Sequence, residues 1–138
     1  MLHNEYTVMI DDYTNAGKAS SEIKSTLKNI GIDAAVLRNI AVATYEAEIN
    51  MIIHATGGII TLDVDDDGLI KLVFEDKGPG IPDLEKAMTP GFSTASEKAR
   101  ALGFGAGMGL PNIKRVSDKF DIESSSEGTT IRLEFKAI

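Results

Sequence analysis

The chain has 138 residues, 43% of them hydrophobic and 25% charged, with 21 acidic against 14 basic side chains and a formal charge of −7, which is the size and make-up of one folded domain. That balance argues against nonspecific nucleic-acid binding, which needs clustered Lys and Arg to neutralise phosphates, and the absence of cysteine excludes disulfides, thiolate metal sites and a cysteine nucleophile. The N-terminus has no basic n-region, its apolar run is cut at Asp11 and Asp12, and no apolar stretch approaches the roughly 20 residues of a membrane span, so a cytoplasmic protein is expected.

In chain order, Tyr6 to Ile10 reads as a short edge strand, followed by a turn-rich stretch leading into a helix. Ile23, Leu27 and Ile30 recur at helical spacing and predict a helix from about Ala16 to Ile30, stopped by Gly31. Asp33 is the predicted N-cap of a second, longer helix reaching about Ala55 and closed by Gly57 and Gly58. Gly58 to Val64 alternates like a half-buried strand, residues 65–68 form a hairpin turn, and Leu69 to Glu75 is the returning strand.

Between Lys77 and Gly109, Pro79, Pro82, Pro90 and repeated glycines interrupt every periodic pattern apart from a short helical turn around Asp83 to Ala87. A connection that long inside a compact domain usually carries function. Leu110 to Phe120 reads as a helix, and Phe120 to Glu123 with Thr129 to Phe135 as a closing hairpin. The order predicts an α+β fold, a two-layer sandwich with helices on one face of a mixed, mostly antiparallel sheet.

Three constellations carry chemistry. Glu46 and Asn50 lie four residues apart on the second helix, hence on one face a turn apart, among Ala43, Ala47, Ile49, Met51 and Ile52. Polar groups in such company must be hydrogen-bonded, bind an ion or face a wet cleft; a carboxylate and an amide oxygen are hard ligands that suit Mg²⁺ beside phosphates. Alone, the spacing is more often a solvent-facing stripe.

Asp76, Gly78 and Gly80, followed by Ile81 and Pro82, come directly after a strand. A carboxylate at a strand end can accept a hydrogen bond from an exocyclic amine such as that of adenine, and the glycines let backbone approach a flat ring. Alone, this is most often a turn. The third run, Gly103 to Leu110, includes Gly105, Ala106, Gly107, Met108 and Gly109 and opens a helix. Free backbone amides at a helix N-terminus make an anion site suited to a triphosphate, although the spacing is neither that of a P-loop nor of a dinucleotide fingerprint.

A Gly128-Thr129-Thr130 step enters the last strand, where a threonine hydroxyl could support Asp76. Of the cations Lys98, Arg100, Lys114 and Arg115, the last two are the better candidates to reach a γ-phosphate, with solvated charge the stronger reading for any single one. His54, near a helix C-terminus, reads as a dipole partner rather than a catalyst.

The order E-x-x-x-N, D-x-G-x-G, G-x-G-x-G, G-T-T, each on a suitable element, resembles the GHKL superfamily of ATPases and kinases over about residues 35 to 135. Through VFEDKGPGIPDLEKAM, PGFSTA and GAGMGLPNIKRVSDKFDIES the chain most resembles the small anti-sigma-factor serine kinases and the stressosome switch serine kinase. The stretch 95–102 is longer than in the stressosome type and closer to the anti-sigma type.

This resemblance implies a Bergerat ATP-binding fold. It implies Asn50 as Mg²⁺ ligand, Glu46 as general base, Asp76 on the adenine amine, Gly80 on the base, Thr130 beside Asp76, and backbone from Gly105 to Leu110 around the phosphates. It further implies an ATP-dependent protein-serine/threonine kinase acting on a small antagonist-type regulatory protein, with a sigma factor as a second partner. The alternative is a nucleotide-gated binding module with little turnover. A detached histidine-kinase domain lacks support, since neither His3 nor His54 lies on a long amphipathic hairpin, and an ATP-driven clamp needs a transducer domain. Any homodimer is expected through the N-terminal strand and first helix.

Overall fold

The computed structural model describes residues 2–9, 16–54, 57–77 and 109–137. Five strands and three helices follow one another as β1 (Leu2–Val8), α1 (Lys18–Asn29), α2 (Ala34–His54), β2 (Gly58–Val64), β3 (Leu69–Asp76), α3 (Gly109–Val116), β4 (Lys119–Ser125) and β5 (Gly128–Lys136). The strands form one sheet in the order β1-β2-β3-β5-β4, and every ladder among them is antiparallel. This is the expected α+β two-layer fold, with no parallel pair among the described strands.

Period-two alternation divides the sheet into two unlike faces. Val8, Ile60, Leu62, Ile70, Leu72, Phe74, Ile131, Leu133 and Phe135 point inward and are buried against Ile23, Leu27, Leu37, Ile40, Ile52 and Ile113 of the helices, each worth about 1.5–3 kcal/mol when fully buried. The other face carries charge in cross-strand register: Arg132 reaches Asp121 at 3.0 Å and Glu123 at 3.4 Å, and Lys119 meets Glu134 at 3.8 Å. The three helices among the described residues therefore lie on one side.

β1 is the edge strand, as expected, but it begins at Leu2 rather than Tyr6. Its outward residues His3, Glu5 and Thr7 are polar because they face solvent, which hides the strand from an apolar-run criterion. α1 ends where Gly31 takes φ 87, with Ile32 N–H donating to Leu27 O at 3.1 Å and Gly31 N–H to Lys28 O at 3.1 Å, a Schellman closure. Asp33 caps α2 through Oδ2, which accepts from Ala35 N–H at 3.1 Å.

α2 is apolar nearly all round because it packs on α1, on α3 and on the sheet at once. α3 stops at Val116, four residues short of the expected end. The chain turns at Ser117 and Asp118 and pairs as β4 from Lys119, so tertiary strand pairing overrides the helical pattern there. The loop helix expected around Asp83 to Ala87 lies outside the described residues.

Candidate functional site

The central helix α2 has two working faces. Glu46 and Asn50 are half-buried, one turn apart on the same face. Glu46 makes no hydrogen bond among the described residues, and burial pushes its carboxyl above the ordinary value because desolvation disfavours the charged form. A carboxylate with raised basicity and no partner among the described residues is suited to accept a proton.

Asp76 ends β3 on the helix-covered face, in line with Leu72 and Phe74. Its Oδ1 accepts from the Thr129 backbone N–H at 3.0 Å, so β5 orients the carboxylate. Sequence reasoning placed Thr130 beside Asp76. In the ladder Thr130 is instead the partner of Glu75, and alternation sends its side chain to the outer face, while the buried neighbour on the Asp76 side is Thr129. Thr129 Oγ1 in turn lies 2.8 Å from Ser124 Oγ. Two adjacent threonines made the choice between them a matter of strand register, which one residue of slip reverses.

Gly109 and Leu110 open α3, with Leu110 and Ile113 buried toward the core. Lys114 and Arg115 stand exposed in the last turn of that helix, and Arg115 Nη2 donates to Asn112 Oδ1 at 3.2 Å. They sit where cations complement the helix dipole, at the opposite end of α3 from the expected phosphate cradle. Gly78, Gly80, Ile81, Gly105, Ala106, Gly107 and Met108, with Lys98 and Arg100, lie outside the described residues; of His54 only the backbone is described.

Two hard oxygen donors side by side on α2 suit a divalent cation held mainly by phosphates and water. Among the described residues no three His, Asp or Glu side chains gather around one point.

Sequence reasoning missed Glu48. Only 2% exposed, its carboxylate accepts from Gly17 N–H at 3.1 Å, Ala19 N–H at 3.4 Å and Ser20 N–H at 3.0 Å. These are the orphan donors at the start of α1, whose own N-cap, Gly17, offers no side chain. The signal was a second glutamate two residues from Glu46 among apolar neighbours, which helical geometry must place on the other side of α2. A groove of about 300 Å³ opens on that other side, between β1, α1 and α2, with Tyr6, Lys18, Glu22, Glu48 and Ile52 among its walls; none of the described motif residues lines it.

The chain is 36% identical over 113 residues to the serine/threonine-protein kinase RsbT of Bacillus subtilis, covering 79% of each. It is 36% identical over 103 residues to the anti-sigma F factor of Geobacillus stearothermophilus, covering 70% of this chain and 67% of that one. Among solved structures, the RsbU and RsbW domains of a Mycobacterium tuberculosis protein superpose with a TM-score of 0.64 at 17% identity, over 96% of this chain and 32% of that longer one. A chain of the SiaB–SiaC complex from Pseudomonas aeruginosa gives 0.61 at 10% identity, over 96% and 88%; these two likenesses speak for the fold alone. No helix among the described residues is long and apolar enough to cross a membrane. Residues 10–135 match the family model of the histidine kinase-like ATPase domain, and the chain belongs to that family.

Proposed function

We propose that the chain, as one domain, is an ATP-dependent protein-serine/threonine kinase that phosphorylates a small antagonist-type regulatory protein in the cytoplasm and thereby acts as an anti-sigma or switch regulator. The observation that carries the reading is Glu46: a half-buried carboxylate with raised basicity and no hydrogen-bond partner among the described residues, one turn from Asn50 on the helix that carries the first motif. RsbT is named a serine/threonine-protein kinase, which supports the reaction class. The anti-sigma F factors support a sigma factor as a second partner. A homodimer contact is assigned to β1 and α1, away from the Glu46 face.

In this reading Asp76, oriented by the Thr129 N–H, accepts from the adenine amine, and the backbone from Gly105 to Leu110 surrounds the phosphates with Gly78, Gly80 and Ile81 near the base. Asn50 holds Mg²⁺, which neutralises phosphate charge when bound. Glu46 takes the proton from the serine or threonine hydroxyl of the partner protein as its oxygen forms a bond to the γ-phosphorus. The bond from that phosphorus to the bridging oxygen breaks, and ADP leaves with the electron pair. The protein's task is positioning and charge placement rather than covalent chemistry.

The test is Mg²⁺-dependent ATP binding by calorimetry on wild type and Asp76→Asn, with γ-phosphate transfer to antagonist-type domains followed in the same samples. Binding lost in Asp76→Asn, together with transfer reduced about 10²–10⁴-fold in Glu46→Ala at retained ATP affinity, supports the kinase. Binding without transfer by wild type favours a nucleotide-gated module, and no binding by wild type rejects both.

A further inference from the structure

Gly58 opens β2, as the alternation of Gly58 to Val64 predicts, and of the two glycines after α2 the positive φ belongs to Gly57, at 85°. What Gly58 requires is space. A Cβ at this position would lie 2.1 Å from the Glu75 carbonyl oxygen, 2.6 Å from Met51 Cε and 2.9 Å from Asp76 Cα. Two of those three neighbours are backbone atoms of β3, which cannot swing aside as a side chain can.

The three contacts join parts of the site that are remote in sequence. Gly58 is the cross-strand partner of Asp76, and Met51, whose methyl fills the space above it, directly follows Asn50 on α2. From the other side, Gly128 of β5, at φ 149, leaves room for the same residue: a Cβ there would lie 2.1 Å from Asp76 O. Asp76 is thus bracketed by glycine on both neighbouring strands, and only on the β2 side does the missing side chain also admit α2.

We infer that Gly58 is a positioning residue for nucleotide selection: by lacking a side chain it sets the separation between the purine-reading carboxylate Asp76 and the phosphate-side pair Glu46 and Asn50. This rests on the proposed kinase reading. A purine nucleotide spanning the two must match that separation, and the match discriminates between bases because a ring held there offers the carboxylate the 6-amine of adenine but the oxo group of guanine, whose own donors, N1–H and the 2-amine, would need a shifted ring. A Cβ at position 58 meets the backbone of Glu75 and Asp76 on β3, whereas on α2 it meets only the end of the Met51 side chain, which can swing aside, so the shift falls mainly on the base-reading side.

The experiment compares wild type, Gly58→Ala and Gly31→Ala for affinity toward ATP and GTP with Mg²⁺, and for KM and kcat of phosphotransfer. Gly31 is the control, because it has φ 87 and nothing within 4 Å of its would-be Cβ, so its substitution strains the chain far from both strands. Gly58→Ala is expected to weaken ATP about tenfold or more, to change GTP little, and to raise KM more than it lowers kcat; Gly31→Ala lowers Tm and keeps the wild-type ATP-to-GTP ratio. A folded Gly58→Ala with the wild-type ratio overturns the inference, as does an equal change of ratio in Gly31→Ala. Should Gly58→Ala fail to fold, Met51→Phe, which enlarges the side chain standing between α2 and Gly58, replaces it: a lowered ATP-to-GTP ratio in the folded variant supports the role and an unchanged one overturns it. Failure of wild type to bind ATP is a different result, which rejects the kinase reading itself.

Discussion

Glu46 and Glu48 sit two residues apart on one helix and do opposite things. Glu46 is half-buried, unbonded among the described residues and held above its ordinary pKa by desolvation. Glu48 is more deeply buried, yet three backbone N–H groups of α1 converge on it. The difference teaches that burial alone does not assign a role to a carboxylate. A buried carboxylate with donors is a structural clasp, and one without them has a proton affinity available for chemistry.

The comparison breaks first at Glu48. Replacing it with Ala strands three N–H groups at a buried helix start, so Glu48→Ala is expected to cost about 3 kcal/mol or more, read as a lower denaturation midpoint at unchanged slope. A loss below about 1 kcal/mol would mean that water or another acceptor takes over and that the clasp is dispensable.

A smaller effect of opposite sign is expected at Glu46. Its folded-state pKa is raised, so the folded protein favours the protonated form; wild type loses stability as pH rises from the ordinary carboxylate range through the raised value, and keeps that deficit at neutral pH. Glu46→Gln cannot ionise. It should therefore be more stable than wild type at neutral pH, by less than about 1 kcal/mol since the group is half open to solvent, with the gap closing in acid, while phosphotransfer is lost. Thermal melts of both proteins across acid to neutral pH decide it, and a pH-independent gap would remove the desolvation account.

The smallest effect concerns the outer face of β1. His3 Nδ1 lies 2.5 Å from Asp63 Oδ1, and this hydrogen bond, then the Asp63 charge, with Glu5 adding to it, raises the imidazole pKa above its ordinary value of 6.5. The pair therefore supports the edge strand fully below the ordinary histidine range and fades as pH rises through the raised value. Hydrogen-exchange protection of β1 should fall over that interval in wild type and stay flat in His3→Gln; equal profiles would show that the strand does not depend on the pair.

Much of the fold was legible in the chain because its signals are local. The alternation of Gly58 to Val64 and Leu69 to Glu75, the Asp33 cap, the Gly31 stop and the apolar helices depend on residues within a few positions of one another. The first part of β1, Leu2 to Glu5, was not legible from apolar content, because half of an edge strand's residues face water. Nor was the early end of α3, where pairing of β4 with β5 outweighs a helix pattern.

Motif order alone brought Glu46, Asn50 and Asp76 into one candidate site and pointed to the family, since each motif's chemistry is carried by residue types at fixed spacing. Which threonine meets Asp76 was decided by β5 register. The clasp formed by Glu48 was decided by where α1 docks, and the need for glycine at position 58 by how closely β3 and α2 converge there. Those are contacts between segments distant in sequence, and only packing brings such atoms within range of one another.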